Sequence, residues 1–179
     1  LQGYESLGEI TGTAIPSYLQ YKTSGTMSIY NESVQYSKET NIEDIDQTNS
    51  PDFLDSDCSD SDNEISLPKY NLETINLAKL KPDELLYIAN YYCAKKSGFL
   101  YKIYQITNYN WLSQENLDLA YNRLVQLGIS KKAKYEQYFE ISKLSELLDR
   151  RLYGYIDCID GKNIYEFKCV NKLENEIGR

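Results

Sequence analysis

The sequence contains no histidine. This absence excludes serine–histidine and cysteine–histidine nucleophile pairs, zinc sites with histidine ligands, and a histidine acting as general base. Any catalysis by this chain would have to use carboxylates, lysine, tyrosine or cysteine.

Cysteine is scarce, and the four residues of this type form no C-x-x-C pair and have no regular spacing. This pattern excludes a zinc ribbon and the disulfide framework of a small secreted domain. We therefore expect Cys58, Cys93, Cys158 and Cys169 to be free thiols of an intracellular protein, in the nucleus or the cytoplasm.

Long apolar runs are also missing: none approaches the ~20 residues that a membrane-spanning helix needs, and no signal-peptide pattern is present. A chain of 179 residues can build one modest hydrophobic core. Because the chain begins with Leu1 rather than methionine, we expect it to be a piece of a larger polypeptide. Because it has no long apolar run, we expect no membrane partner.

The net charge of −8 is distributed unevenly. Residues 1–68 carry a net charge of −11, residues 69–134 carry +5 and residues 135–179 carry −2. The stretch 38–64 has ten acidic side chains, one lysine and few apolar residues, so its burial cannot offset the loss of chain entropy on folding. We predict a disordered acidic linker over residues 38–68.

A helical subdomain is predicted over residues 69–134, whereas residues 1–37 show no sustained period and their structure stays open. One helix is predicted to begin at Pro82 and to end before Gly98. A second has Ser113 as its N-cap and ends before Gly128. The residues between the two helices are aromatic and β-branched, which is typical of a strand or of a buried connection.

Three strands are predicted after these helices, near residues 138–144, 150–159 and 163–170, within a β core over residues 135–179. The last two strands are joined by an Asp-Gly pair, which is a strong hairpin signal. The sequence therefore predicts an α+β fold in which a helical subdomain is followed by a small mixed or antiparallel sheet.

The hairpin brings charged residues together on one face. If its loop consists of Gly161 and Lys162, Asp157 lies directly opposite Glu166. If the loop begins one residue earlier, Glu166 becomes a diagonal neighbour of Asp157 on the same face. Lys168 shares that face with Glu166, because strand side chains alternate with a period of two residues.

The same alternation assigns a face to four more residues of the hairpin. Tyr153 and Tyr155 share the face of Asp157 and are candidate neighbours of a substrate. Cys158 and Cys169 fall on the opposite face, where we expect them to pack as small apolar groups.

Two carboxylates placed opposite each other destabilise a sheet unless something compensates their charge. One solution is Mg²⁺ or Mn²⁺ held by Asp157, Glu166 and the backbone carbonyl of Phe167, with Lys168 orienting or helping to deprotonate the attacking water of a phosphodiester hydrolysis. The alternative is a surface salt-bridge cluster in which Lys168 bridges both carboxylates without a metal.

The runs GYID and IYEFKCV, joined by the Asp-Gly turn, resemble the core of the PD-(D/E)XK nuclease superfamily over residues 139–171. The resemblance is closest to nuclease domains attached to superfamily 1 helicases and to related proteins of large DNA viruses. It implies metal ligation by Asp157 and Glu166, a catalytic role for Lys168, and Mg²⁺-dependent hydrolysis of DNA.

The resemblance also implies a partial restriction-endonuclease-like sheet that belongs to a larger, helicase-linked DNA-processing protein. The family carries an acidic residue on its first helix, for which Glu115, Glu136 and Glu140 are the candidates here. It also has a helix after the E-x-K strand that has no counterpart in this chain. The alternative is a degenerate nuclease fold that acts as a DNA-binding or protein-interaction module without catalysis.

Overall fold

The computed structural model describes residues 2–39, 70–99 and 101–169, with the backbone alone for residues 2–6, 144 and 145. The predicted disordered linker is wrong at its first two residues, Lys38 and Glu39, which end a helix, and from residue 40 on it lies outside the described residues. The elements in chain order are α1 (Gln2–Ser24), α2 (Ser28–Glu39), α3 (Pro82–Ser97), α4 (Lys102–Gln105), α5 (Gln114–Val125), β1 (Lys134–Glu140), α6 (Ser142–Leu148), β2 (Tyr153–Asp160) and β3 (Asn163–Tyr165). Helices combined with a small antiparallel sheet confirm the predicted α+β class.

The N-terminal segment, for which the sequence indicated no element, forms α1 and α2. Helix α1 buries a stripe of apolar residues that consists of Ile10, Ala14, Tyr18 and Leu19. Pro16 lies inside the helix and, having no N–H, leaves a gap in the ladder of backbone hydrogen bonds. Beside that gap, the Ser17 hydroxyl donates to the Thr13 carbonyl at 2.7 Å. The helix therefore depends on packing against the rest of the fold more than on its own propensity.

Helix α3 is the centre of the main hydrophobic core. Every residue from Leu85 to Ala94 is buried, and α1 and α2 both pack against this helix. The predicted ends are confirmed: Pro82 is the first helical residue, and Gly98 follows the last with a φ of +75°. The N–H of Gly98 donates to carbonyls of the last turn, which stops the helix there.

The connection between α3 and α5 contains the short helix α4 and no strand among its described residues, so the strand alternative is wrong. The connection is buried only in part, because Ile103, Tyr109 and Leu112 are buried whereas Phe99 and Tyr101 are exposed. The buried Asn90 amide donates to the Tyr109 hydroxyl at 2.8 Å, and the Trp111 indole N–H donates to the Thr11 hydroxyl at 3.0 Å. These bonds attach the connection to α3 and α1. Helix α5 then begins as predicted, with the Ser113 hydroxyl accepting from the N–H of Asn116.

The sheet is antiparallel with strand order β1-β2-β3, and its strands differ in length from the prediction. Strand β1 begins earlier, at Lys134, and ends at Glu140, and the four residues predicted to extend it lead into α6. Leu144, Leu147 and Leu148 have the spacing of a helix, which explains this error. Strand β3 has only three residues, so the predicted strand over 163–170 is too long.

One face of the sheet is covered by helices, and the other is open apart from the end of α3, whose Tyr92 and Lys96 contact it. Tyr135 and Cys158, paired across β1 and β2, are buried against Leu19 of α1 and Ile129. The prediction that Cys158 packs on the face opposite Asp157 is confirmed, whereas Cys169 is exposed beyond β3. None of the described helices has the length and apolar character that crossing a membrane requires.

The buried thiols lead to a chemical prediction. Burial raises the pKa of Cys93 to about 11 and that of Cys158 to about 11, so both thiols are protonated and shielded at neutral pH. We expect iodoacetamide to modify Cys169 in the native chain and to reach Cys93 and Cys158 only after denaturant is added, as measured by peptide mass spectrometry. Native modification of Cys158 at the rate of Cys169 would contradict the packing of the sheet.

Candidate functional site

The register of the hairpin of β2 and β3, continued one residue past its last ladder pair of Cys158 with Tyr165, sets Asp157 opposite Glu166. The pair that closes the ladder is Asp160 with Asn163, so the two-residue loop begins at Gly161. Gly161 has a φ of +60°, a conformation that glycine adopts without a steric penalty and that tight hairpin loops require. The observed register is therefore the first of the two that the sequence allowed.

Asp157 is bonded to the backbone of the E-x-K segment, which we define as Glu166–Lys168. Its Oδ2 accepts a hydrogen bond from the Phe167 N–H at 2.7 Å. Because the ladder of β3 ends at Tyr165, this side-chain bond continues the attachment of the chain past the end of the strand. A carboxylate makes this bond stronger than a bond between neutral groups. Asp157 is thereby held at the middle of the E-x-K segment.

Glu166 and Lys168 form an ion pair with each other. Lys168 Nζ lies 3.3 Å from Glu166 Oε1, and both side chains are largely exposed. Among the described residues Lys168 has no ion pair with Asp157, so the predicted bridge between the two carboxylates is not formed. An exposed pair of this kind contributes at most about 1 kcal/mol, so the two side chains separate at low cost.

Glu136 of β1 and Asp157 of β2 stand at the same level of the sheet, between the ladder pairs Tyr135–Cys158 and Gln137–Ile156, but no ladder pair joins them. The Glu136 φ of +50° lies in the left-handed region, which is uncommon for residues other than glycine. The Glu136 side chain is only 10% exposed, and its Oε2 accepts from Lys96 Nζ at 3.1 Å and from the Tyr92 hydroxyl at 3.3 Å. Burial raises the pKa of Tyr92, which keeps its hydroxyl a donor. Glu136 therefore connects the last turns of α3 to the strand beside Asp157.

The other two acidic candidates have different surroundings. Glu115 is exposed in the first turn of α5. Glu140 pairs with Tyr153 in the ladder and accepts hydrogen bonds from the Tyr138 hydroxyl at 2.8 Å and from Arg151 at 3.2 Å. Of the three candidates, only Glu136 stands at the level of Asp157 in the sheet.

The donor set suits a magnesium ion. Asp157, Glu166 and the Phe167 carbonyl offer only oxygen atoms, and Mg²⁺ is commonly held by one or two carboxylates with water and phosphate oxygens completing its shell. In the part of the chain that the structure describes, no three histidine, cysteine, aspartate or glutamate side chains are grouped closely enough to hold a metal. An Mg²⁺ ion at Asp157, Glu166 and the Phe167 carbonyl would therefore need water or phosphate oxygens for the rest of its shell.

The sequence did not place three residues at the face of Asp157: Lys96, which it gave only as one of several basic residues able to contact a phosphate backbone, Tyr138 and Arg151. Tyr138 lies opposite Tyr155 in the ladder, so a predicted pairing of β1 with β2 would have placed Tyr138 on this face. Arg151 is two residues before β2, and the strand predicted over 150–159 gave it no separate role. Lys96 belongs to α3 and reaches the sheet only through tertiary packing, so no local signal could have identified it.

Comparisons with known proteins gave no relatives. No protein-family model matches the chain, and neither a curated protein nor a solved structure is significantly similar to it.

Proposed function

We propose that this chain carries the front part of a site for metal-dependent hydrolysis of DNA phosphodiesters, within a larger DNA-processing protein that includes a helicase. The observation that supports the proposal best is the hydrogen bond from the Phe167 N–H to the Asp157 carboxylate. It joins the aspartate of the GYID run to the E-x-K segment, and these are the residues in which the chain resembles PD-(D/E)XK nucleases.

Each residue has a defined role in this proposal. The carboxylates of Asp157 and Glu166 and the carbonyl of Phe167 would hold Mg²⁺, which when bound polarises the scissile phosphate. Asp157 accepts one N–H bond, and a carboxylate has acceptor capacity for further contacts. Glu166 would leave its exposed ion pair, and Lys168 would then orient the attacking water or offset charge on the phosphate.

A non-catalytic module is the second candidate function. It is favoured by the ion pair between Lys168 and Glu166, which compensates one of the two carboxylates without a metal. In that case Asp157 would be structural, because its bond to Phe167 would serve only to attach the end of the hairpin.

Thermal unfolding with millimolar Mg²⁺ or Mn²⁺ separates the two candidates. An ion that binds only the folded chain stabilises it by about 2.7 kcal/mol at a hundredfold excess over Kd, which raises the melting temperature by several degrees. We expect this rise in the wild type and not in Asp157→Asn, because the amide loses the charge but keeps an oxygen for the Phe167 N–H.

Asp118→Asn is the matched control, since Asp118 is exposed on α5 and bonded to Gln114. It is expected to keep the full metal response. The same rise in wild type and Asp157→Asn, or no rise in either, would contradict the proposed metal site and favour the non-catalytic module.

A further inference from the structure

Three exposed tyrosines form a continuous aromatic surface on the open face of the sheet. We call this surface the tyrosine face and define it as Tyr138, Tyr153 and Tyr155, whose exposed fractions are 47%, 60% and 37%. The ring of Tyr138 lies 6.0 Å from that of Tyr153 and 5.5 Å from that of Tyr155. Aromatic side chains are usually buried, so a connected group of exposed rings indicates a binding surface.

Arg151 is held over one end of the tyrosine face. Its guanidinium carbon lies 5.3 Å from the centre of the Tyr153 ring, and one of its nitrogens donates to the Tyr138 hydroxyl at 2.9 Å and to Glu140 at 3.2 Å. Hydrogen bonds from Tyr138 and Arg151 lower the pKa of Glu140, which keeps it a carboxylate. A guanidinium has five N–H donors in a planar fork, so bonds from one nitrogen leave capacity for a phosphate.

Lys96 lies over the other end of the tyrosine face. Its Nζ is 4.1 Å from the centre of the Tyr155 ring, a close cation–π contact. The carboxylate of Glu136 fixes the lysine there through the bond at 3.1 Å. The stripe of rings therefore has a positioned cation at each end.

We propose that the tyrosine face binds single-stranded nucleic acid, with bases stacked on the three rings and phosphates contacted by Arg151 and Lys96. Stacking on aromatic side chains beside positive charge is how proteins bind single strands without regard to base sequence. In a duplex the faces of the bases are covered by their neighbours, so this surface would select unpaired strands. The proposal rests on the proposed function in one respect: Tyr155 is two residues from Asp157 on the same face, so a bound strand would lead to the proposed hydrolytic site.

The charges on this surface argue against a protein partner. The centre of a protein–protein interface is depleted of charged residues, whereas here a cation covers two of the three rings. Phosphates complement both cations, and bases complement the rings between them.

Fluorescence anisotropy with a labelled single-stranded DNA of about 16 nucleotides tests the proposal, with the duplex of the same sequence as comparison. EDTA is present, so that metal-dependent cleavage cannot occur. We expect the wild type to prefer the single strand and Tyr153→Ala to bind it about tenfold or more weakly, while Tyr153→Phe, which keeps the ring, binds nearly as wild type. Tyr101→Ala is the matched control, because Tyr101 is 55% exposed before α4 and is no part of the tyrosine face.

Three results would overturn the proposal: equal affinity for single strand and duplex, unchanged binding by Tyr153→Ala, or a wild-type dimer that Tyr153→Ala converts to monomer in light scattering. Melting temperature provides the check that each variant is folded, and the exposure of Tyr153 makes unfolding by its truncation unexpected. Because binding is measured without metal, binding that depends on Tyr153 in a chain that shows no metal response would reject the hydrolytic site and keep the tyrosine face. Metal-dependent cleavage at the same rate in the wild type and in Tyr153→Ala would keep the hydrolytic site and reject the tyrosine face.

Discussion

Asp157→Ala is expected to lower Mg²⁺-dependent cleavage of DNA by at least about a hundredfold, since loss of even an outer-shell partner of a metal costs about 10- to 100-fold. The alanine removes a proposed metal ligand and also the acceptor for the Phe167 N–H. Asp157→Asn keeps that acceptor, so equal losses in the two variants would assign the effect to the charge and not to the hairpin. Gel electrophoresis of a labelled DNA substrate measures the rate.

Lys168→Ala is the companion variant for the same reaction. A group that transfers a proton or stabilises charge in the transition state contributes about 10²- to 10⁴-fold to the rate, so we expect a loss in that range. Lys162 in the turn of the same hairpin offers a matched control, because it is also an exposed lysine and has no proposed role. Cleavage by Asp157→Ala and Lys168→Ala at the rate of Lys162→Ala would remove the hydrolytic proposal.

Leu86→Ala is expected to have the largest effect on stability, a loss of about 2–5 kcal/mol in the free energy of unfolding. Leu86 has no exposed surface and lies in α3, against which both N-terminal helices pack. The substitution removes buried methyl groups and leaves a cavity. Because the surrounding side chains relax only partly into that cavity, packing contacts are lost. Urea denaturation followed by circular dichroism gives the change in the free energy of unfolding.

Leu119→Ala is the control for this experiment. Leu119 is 51% exposed on α5, so its truncation is expected to change stability by no more than about 0.5 kcal/mol. Similar unfolding midpoints for Leu86→Ala and Leu119→Ala would show that α3 is not the centre of the core.

The elements that the sequence predicted well have short-range signals. Helix α3 has Pro82 at its start and Gly98 after its end, and α5 has Ser113 as N-cap, so each boundary follows from a few neighbouring residues. The hairpin register likewise follows from the Asp-Gly turn. Helix α1 was missed because its apolar residues show no sustained period and Pro16 lies inside it, so its stability comes from packing against α3 and α5 more than from local preference.

The candidate site also has one part that local rules predicted and another part that they did not. Turn chemistry, a local property of the chain, was enough to predict the register that pairs Cys158 with Tyr165, whereas the shared face of Asp157, Glu166 and Lys168 stays a prediction because β3 ends before Glu166. Tertiary structure alone decided that Lys168 pairs with Glu166 while Asp157 bonds the Phe167 N–H. Both contacts depend on the path of the backbone after Tyr165, where the ladder of β3 ends, and no short-range rule specifies that path.

The sequence by itself determined the helix boundaries around α3 and α5 and the pairing of the hairpin, because each depends on backbone preferences within a few residues. The tertiary structure decided which side chains from distant segments meet there. Lys96 reaches the ring of Tyr155 across 59 positions of the sequence, and Glu136 takes its two donors from α3. Contacts at such separations are set by the packing of helices on a sheet edge, which is a property of the whole fold.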